Sequence, residues 1–117
     1  MDLRPFPPYI AAIAMLDDPV LPRFRRALDS LYGARIERVV LFGSRARGDA
    51  RVDSDCDVAV FLDDFENFGL ESKRLAAIET AVLDEMRAVI SALPFEAGAY
   101  RRQTGLLHEL RREGIDF

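Results

Sequence analysis

Two aspartates at alternate positions, Asp55 and Asp57, open the apolar run "DVAVFL" within the stretch "LFGSRARGDARVDSDCDVAVFL", residues 41–62. In an extended chain, residues two apart project to the same face, so these carboxylates point together while Cys56 points away. Their mutual repulsion grows as water is excluded from a strand end. A hard cation relieves it, and magnesium is typically held by one or two carboxylates together with the phosphates of a substrate. Upstream, Gly43-Ser44 follows the apolar run "VVLF". Gly43 lets the backbone approach a ligand closely, N–H groups after a strand cradle phosphate oxygens, and the Ser44 hydroxyl adds a donor. A phosphate cradle and a carboxylate pair then make one site.

The elements that must hold these residues follow from apolar spacing. The N-terminal third reads as helical: "YIAAIAML", then, after the Asp-Asp-Pro break at 17–19, "LPRFRRALDSLY", with Leu21, Phe24, Leu28 and Leu31 on one face and Gly33 as its stop. A mostly apolar strand at 38–42 and a second at 57–62 imply burial on both faces. After the acidic turn "DDFENFG", a long amphipathic helix carries Leu75, Ile78, Val82, Met86 and Val89. Pro94 opens a third strand, "PFEAGAY", because proline is tolerated at a strand start. The tail "TGLLHELRREGIDF" reads as a last helix that ends at Gly114, with Ile115 folding back on Leu110. The expected architecture is α/β, a small mixed β-sheet flanked by helices. We read residues 1–117 as one domain, with a helical N-terminal part at 1–33 and a core at 36–117.

Composition narrows the class. A length of 117 residues, half of them hydrophobic and 31% charged, suits one globular core. No apolar run is long enough to span a bilayer, and "MDLRPFPPYI" lacks the form of a secretory signal, which predicts a cytoplasmic protein without a membrane partner. The single cysteine excludes an internal disulfide and a cysteine-based zinc site, and Cys56 reads as a small buried filler. The net charge of −4 argues against direct nucleic-acid binding. All but one of the 16 cations are arginine, and Arg35, Arg38, Arg45, Arg47 and Arg51 gather near the Gly-Ser turn, where a guanidinium fork suits phosphate oxygens. His108 and Tyr100 read as packing or surface residues.

Gly43-Ser44, ten residues, then Asp55-x-Asp57 resembles the G-S-x10-D-x-D signature of the DNA polymerase β-like nucleotidyltransferases. Within that superfamily, "GSRARG" and "SDCDVAV" resemble the minimal nucleotidyltransferase group, which includes the MntA-like antitoxins. The likeness runs from residue 38 to the tail "LHELRREGIDF". It implies a polymerase β-like fold, ATP as substrate and two magnesium ions held by Asp55 and Asp57. It also implies a third carboxylate on a later strand, for which Glu96 is the candidate, since it alternates with Phe95 and Ala97; the family more often has aspartate there. Gly43 and Ser44 would bind the outer phosphates. Arg45 and Ser54 join them as nucleotide-binding candidates, with a partner surface and a turn cap as their other readings.

Beside this spacing, Asp55 and Asp57 read as metal ligands rather than as turn-capping acids. The resemblance implies a protein adenylyltransferase, the antitoxin of a pair whose other member is a HEPN-domain ribonuclease toxin encoded nearby, and therefore a hetero-oligomer. Two other readings stand beside it: a non-catalytic antitoxin that masks its toxin by binding, and a transferase for a small aminoglycoside whose acceptor pocket forms by homodimerisation.

Overall fold

A computed structural model describes residues 19–43, 46 and 55–117. Its organising element is strand β2, Cys56–Leu62, in which Val58, Val60 and Leu62 alternate with Ala59 and Phe61, all of them fully buried. Such a strand needs cover on both faces. It pairs antiparallel with β1, Ile36–Phe42, and parallel with β3, Ile90–Glu96; a short β4, Ile115–Asp116, pairs antiparallel with β1. The order across the mixed sheet is β3-β2-β1-β4.

One face packs on two helices. Helix α1, Val20–Tyr32, buries Leu21, Phe24, Leu28 and Tyr32; α2, Phe68–Met86, buries Leu75, Ile78 and Val82, and both cover Val39, Leu41, Cys56, Val58, Val60 and Leu62. Tyr32 takes the core place that the helical spacing gave to Leu31, which is 44% exposed. Gly33 ends α1, with φ of 56° and its N–H donating to the Asp29 carbonyl. At the start of α2 the Asn67 side chain accepts from the Leu70 N–H at 2.7 Å, a helix cap. This helix is the crossover that a parallel β2–β3 pair requires.

The other face carries a smaller cluster: Val40, Ala59 and Phe61 beneath Ala99, Leu107 and Leu110. Leu107 and Leu110 come from α3, Gly105–Glu113, capped by Thr104. Phe61 stacks on Phe95 at 5.0 Å and meets Tyr100 edge-on at 5.6 Å, while the Arg38 guanidinium lies 3.8 Å above the Tyr100 ring. Burying a ring such as Phe61 contributes roughly 1.5–3 kcal/mol.

Three details depart from the sequence expectation. The long helix stops at Met86, because Arg87 adopts the left-handed conformation and donates its N–H to the Leu83 carbonyl, so Val89 lies outside it, 48% exposed. Strand β3 therefore starts at Ile90, and Pro94 sits inside it. That is tolerated because β3 is an edge strand, where the missing N–H faces away from the ladder; the neighbouring outward N–H, of Ala92, donates to the Glu79 side chain at 2.8 Å. The burial that secures Glu79 there raises its carboxyl pKa, against the lowering effect of that hydrogen bond. Finally, α3 does end at Gly114, but with φ of −70°; Ile115 pairs with Leu41 in the sheet instead of folding back on Leu110. Of the helical N-terminal part, "YIAAIAML" lies outside the described residues.

Candidate active site

The carboxylate pair lies at the end of the sheet where β2 begins. Pairing of Phe42 with Asp57 across β1 and β2 places Gly43 just past the last rung, at the same end as Asp55 and Asp57. Gly43 has φ of 75°, a conformation that side-chain-bearing residues rarely adopt. A Cβ added there would meet Oδ2 of Asp57 at 2.5 Å. The glycine is thus required twice, for its backbone angle and for the carboxylate lying against it. Asp57 is half-buried and Asp55 exposed. Asp55 immediately precedes β2 and Asp57 is its second residue.

Parity along the strands settles which side Asp57 faces. Cys56, Val58, Val60 and Leu62 point to the α1/α2 side, whereas Ala59 and Phe61 point to the α3 side, so Asp57 shares the α3 side. Across the sheet this side reads as rows: Phe42, Asp57 and Ser91; then Val40, Ala59 and Leu93; then Arg38, Phe61 and Phe95. The α3 layer covers Val40, Ala59 and Phe61; Ser91 is exposed and Leu93 is 36% exposed. In the row holding Asp57, Phe42 packs against the α3 cluster and, among the described residues, Ser91 is the exposed member.

Glu96 does not join it. It pairs with Leu62, at the other end of β2, and the parity of Leu62 puts it on the α1/α2 side. Its carboxylate forms an exposed ion pair with Arg102. The structure departs from the expectation because β3 begins at Ile90, four residues before Pro94, which sets Glu96 at the far end of the strand. The residue abreast of Asp57 is Ser91. Sequence reasoning missed it by counting Val89 into the preceding helix; the signal was the alternating run "VISAL", with its one polar residue at position 91.

Ser44, Arg45 and Ser54 lie outside the described residues. Of that connection Ala46 is described, packed against the larger core cluster. Cys56 is buried and His108 exposed, in line with their readings as filler and surface residue. Among the described residues, no three of His, Cys, Asp and Glu gather in a metal-binding group. What remains is a pair of hard oxygen donors beside a glycine cradle. That set fits a magnesium ion that keeps waters and takes its other ligands from a substrate.

This arrangement sits inside a matched family. The family model described as a nucleotidyltransferase domain covers residues 21–103, most of the chain, and the chain belongs to that family. A Methanocaldococcus jannaschii protein assigned as a protein adenylyltransferase is 42% identical over 53 residues, 44% of this chain; the match spans about half of that relative, 53% of its length. The crystal structure of a Sulfolobus solfataricus protein assigned as a nucleotidyltransferase superposes with a TM-score of 0.62 at 18% identity, over 100% of this chain and 91% of that one. A toxin-antitoxin crystallised with AMP-PNP gives a TM-score of 0.59 at 16% identity, over 81% of this chain and 69% of that one. A mutant of the toxin-antitoxin MntA-HpeT gives 0.60 at 14% identity, with the same coverage. At such identities these structures speak for the fold. The fold is that of a nucleotidyltransferase, as the Gly-Ser and Asp-x-Asp spacing implied.

Proposed function

We propose that this chain is a magnesium-dependent nucleotidyltransferase that moves AMP from ATP onto a hydroxyl of a partner protein, breaking the α–β phosphoanhydride bond and releasing pyrophosphate, as the antitoxin of a pair whose toxin is a HEPN-domain ribonuclease. The observation that carries the reading is the contact between the Gly43 backbone and the Asp57 carboxylate, at the end of the sheet where β2 begins and inside the family-matched span. The name of the archaeal relative and the toxin-antitoxin neighbours, one of them with AMP-PNP, support the acceptor and the partner.

Asp55 and Asp57 would hold the metal, which when bound draws negative charge from the phosphate oxygens around the transferred group. The chain's own contribution is placement. Asp57 is fixed by the rung to Phe42, so its carboxylate needs little reorganisation as charge develops. Gly43 leaves room for the phosphates, with Ser44 as the next donor and Arg45 and Ser54 as further phosphate contacts. The acceptor hydroxyl enters past Ser91 and Leu93. Glu96 stands too far away to take its proton.

One observation favours a second reading, a non-catalytic antitoxin that masks its toxin: only two carboxylates meet at this end among the described residues. Mixing the protein with magnesium, ATP labelled at the α-phosphate and the product of the adjacent gene separates the two. Label on that product, lost in Asp57→Asn, is the expected result. A tight complex that takes no label establishes masking instead.

A further inference from the structure

The β3 side chain abreast of Asp57 is not acidic. Ser91 is the register partner of Asp57 on the adjacent strand, about 4.8 Å away backbone to backbone, on the same face and exposed. No other β3 residue shares that rung. Ile90 and Ala92 pack on the opposite side, and Leu93 stands one rung further along, beside Ala59.

Charge decides what this means for metal binding. The carboxylates of Asp55 and Asp57 together carry two negative charges, enough to neutralise one divalent ion. A second ion a few ångströms away would meet a hydroxyl at Ser91 and the repulsion of the first, which for two divalent ions is four times that between unit charges at the same distance. A nucleoside triphosphate brings the missing negative oxygens with it. Building on the nucleotidyltransferase reading, we propose that Ser91 faces the metal site as a neutral neighbour of Asp57, so that the protein alone holds one divalent ion and takes a second only together with a nucleoside triphosphate.

The test uses the full chain and Mn²⁺, counted by the loss of its free spin-resonance signal, with and without AMP-PNP. The wild type should bind one Mn²⁺ alone and two with the nucleotide. Ser91→Asp should bind two without nucleotide, or bind the first at least tenfold more tightly. Ser91→Ala should stay within about threefold of the wild type. Leu93→Asp, which adds the same charge on the same face one rung away, should leave the count and the affinity unchanged. Because positions 91 and 93 are exposed, a common urea midpoint for the variants serves as the check on folding.

Two Mn²⁺ ions on the nucleotide-free wild type would overturn the proposal. An equal effect of Leu93→Asp and Ser91→Asp would also overturn it, since charge alone would then explain the gain. If Ser91→Asp changes nothing while Asp57→Asn abolishes Mn²⁺ binding, the role of Ser91 falls and the site stands. If Asp57→Asn binds Mn²⁺ like the wild type, the nucleotidyltransferase site itself is misread.

Discussion

The two ends of strand β2 handle acidic residues in opposite ways. At its start, Asp55 is exposed and Asp57 half-buried, and among the described residues neither belongs to a core cluster. Beyond its last residue, Glu71 is fully buried, and its carboxylate accepts from Tyr32 Oη at 3.4 Å, Arg35 at 2.9 Å and Arg74 at 2.9 Å. Arg35 also donates to the carbonyls of Asp63 and Asp64, tying the end of β2 to α1 and α2. A buried carboxylate surrounded by donors is consumed by the fold, because removing water from it demands that compensation. The carboxylates at the start of β2 keep more contact with water, Asp55 being exposed and Asp57 half-buried. Acidic residues mark function here where the chain leaves them accessible.

The sharpest way to break this comparison is to neutralise one acid at each end. Asp57→Asn should lower AMP transfer by roughly a thousandfold, the scale of losing a group that stabilises developing charge, and leave the urea midpoint close to that of the wild type. Glu71→Gln should do the reverse. Stranding the two arginines costs about 3 kcal/mol, the low end for a broken buried pair, because Arg35 and Arg74 keep 29% and 33% of their side-chain surface in water. Its transfer rate, measured below the new unfolding transition, should stay within a few-fold. A stable but inactive Glu71→Gln protein would mean that the far end belongs to the site.

Gly43→Ala should move both readouts. The left-handed angle costs about 1–2 kcal/mol for a residue with a Cβ, and the new methyl displaces the Asp57 carboxylate. A shift of that size at a reacting centre can cost on the order of a hundredfold in rate. Parallel urea titrations and transfer assays check the two parts separately, and full activity in Gly43→Ala would remove the cradle from the mechanism.

The far end also predicts a pH window. Burial, with the Glu71 charge and hydrogen bond behind it, pushes the Tyr32 hydroxyl up from 10.0 to about 12. The unfolded chain loses this proton first, so the stabilisation is fully present below about pH 10 and fades as pH rises toward 12. Denaturation midpoints across that range should fall more steeply for the wild type than for Tyr32→Phe. Equal slopes would mean that neither burial nor Glu71 raises the hydroxyl.

How legible each end was in the sequence follows from the range of the contacts. The end with the aspartates is local: Gly43 and Asp55 lie just outside the one antiparallel rung of Phe42 and Asp57, and period-two alternation together with the Gly-Ser spacing already placed them at the ends of neighbouring strands. The far end is not, since Tyr32 and Arg35 reach Glu71 across 39 and 36 positions, with no pattern to announce it. Strand β3 was hidden for another reason. Val89 satisfies the helical spacing of Leu75, Ile78 and Val82, while the event that ends the helix is a backbone angle at Arg87, a residue with no special preference for it. Pro94 misled because its tolerance in mid-strand depends on β3 being an edge, and the strand order is a property of the whole sheet.

Glu96 gives the smallest expected effect and the finest test of the comparison. In the parallel register it stands opposite Leu62, at the far end from the rung of Asp57 and Ser91. At 3.3 Å per residue, five positions along the strand put it about 16 Å from them. It also faces the α1/α2 side, and its partner Arg102 is more than half exposed, so the pair contributes at most about 1 kcal/mol. Glu96→Gln should therefore keep the transfer rate and Mn²⁺ affinity within about twofold of the wild type. A tenfold fall in both would require the far end of β3 to approach Asp57, which the pairing of Phe61 with Phe95 and of Leu62 with Glu96 forbids unless the parallel register slips. Because the slip needed is five residues, an odd number, it would also turn Ser91 to the other face, so such a result would withdraw Ser91 from the metal site along with restoring Glu96 to it.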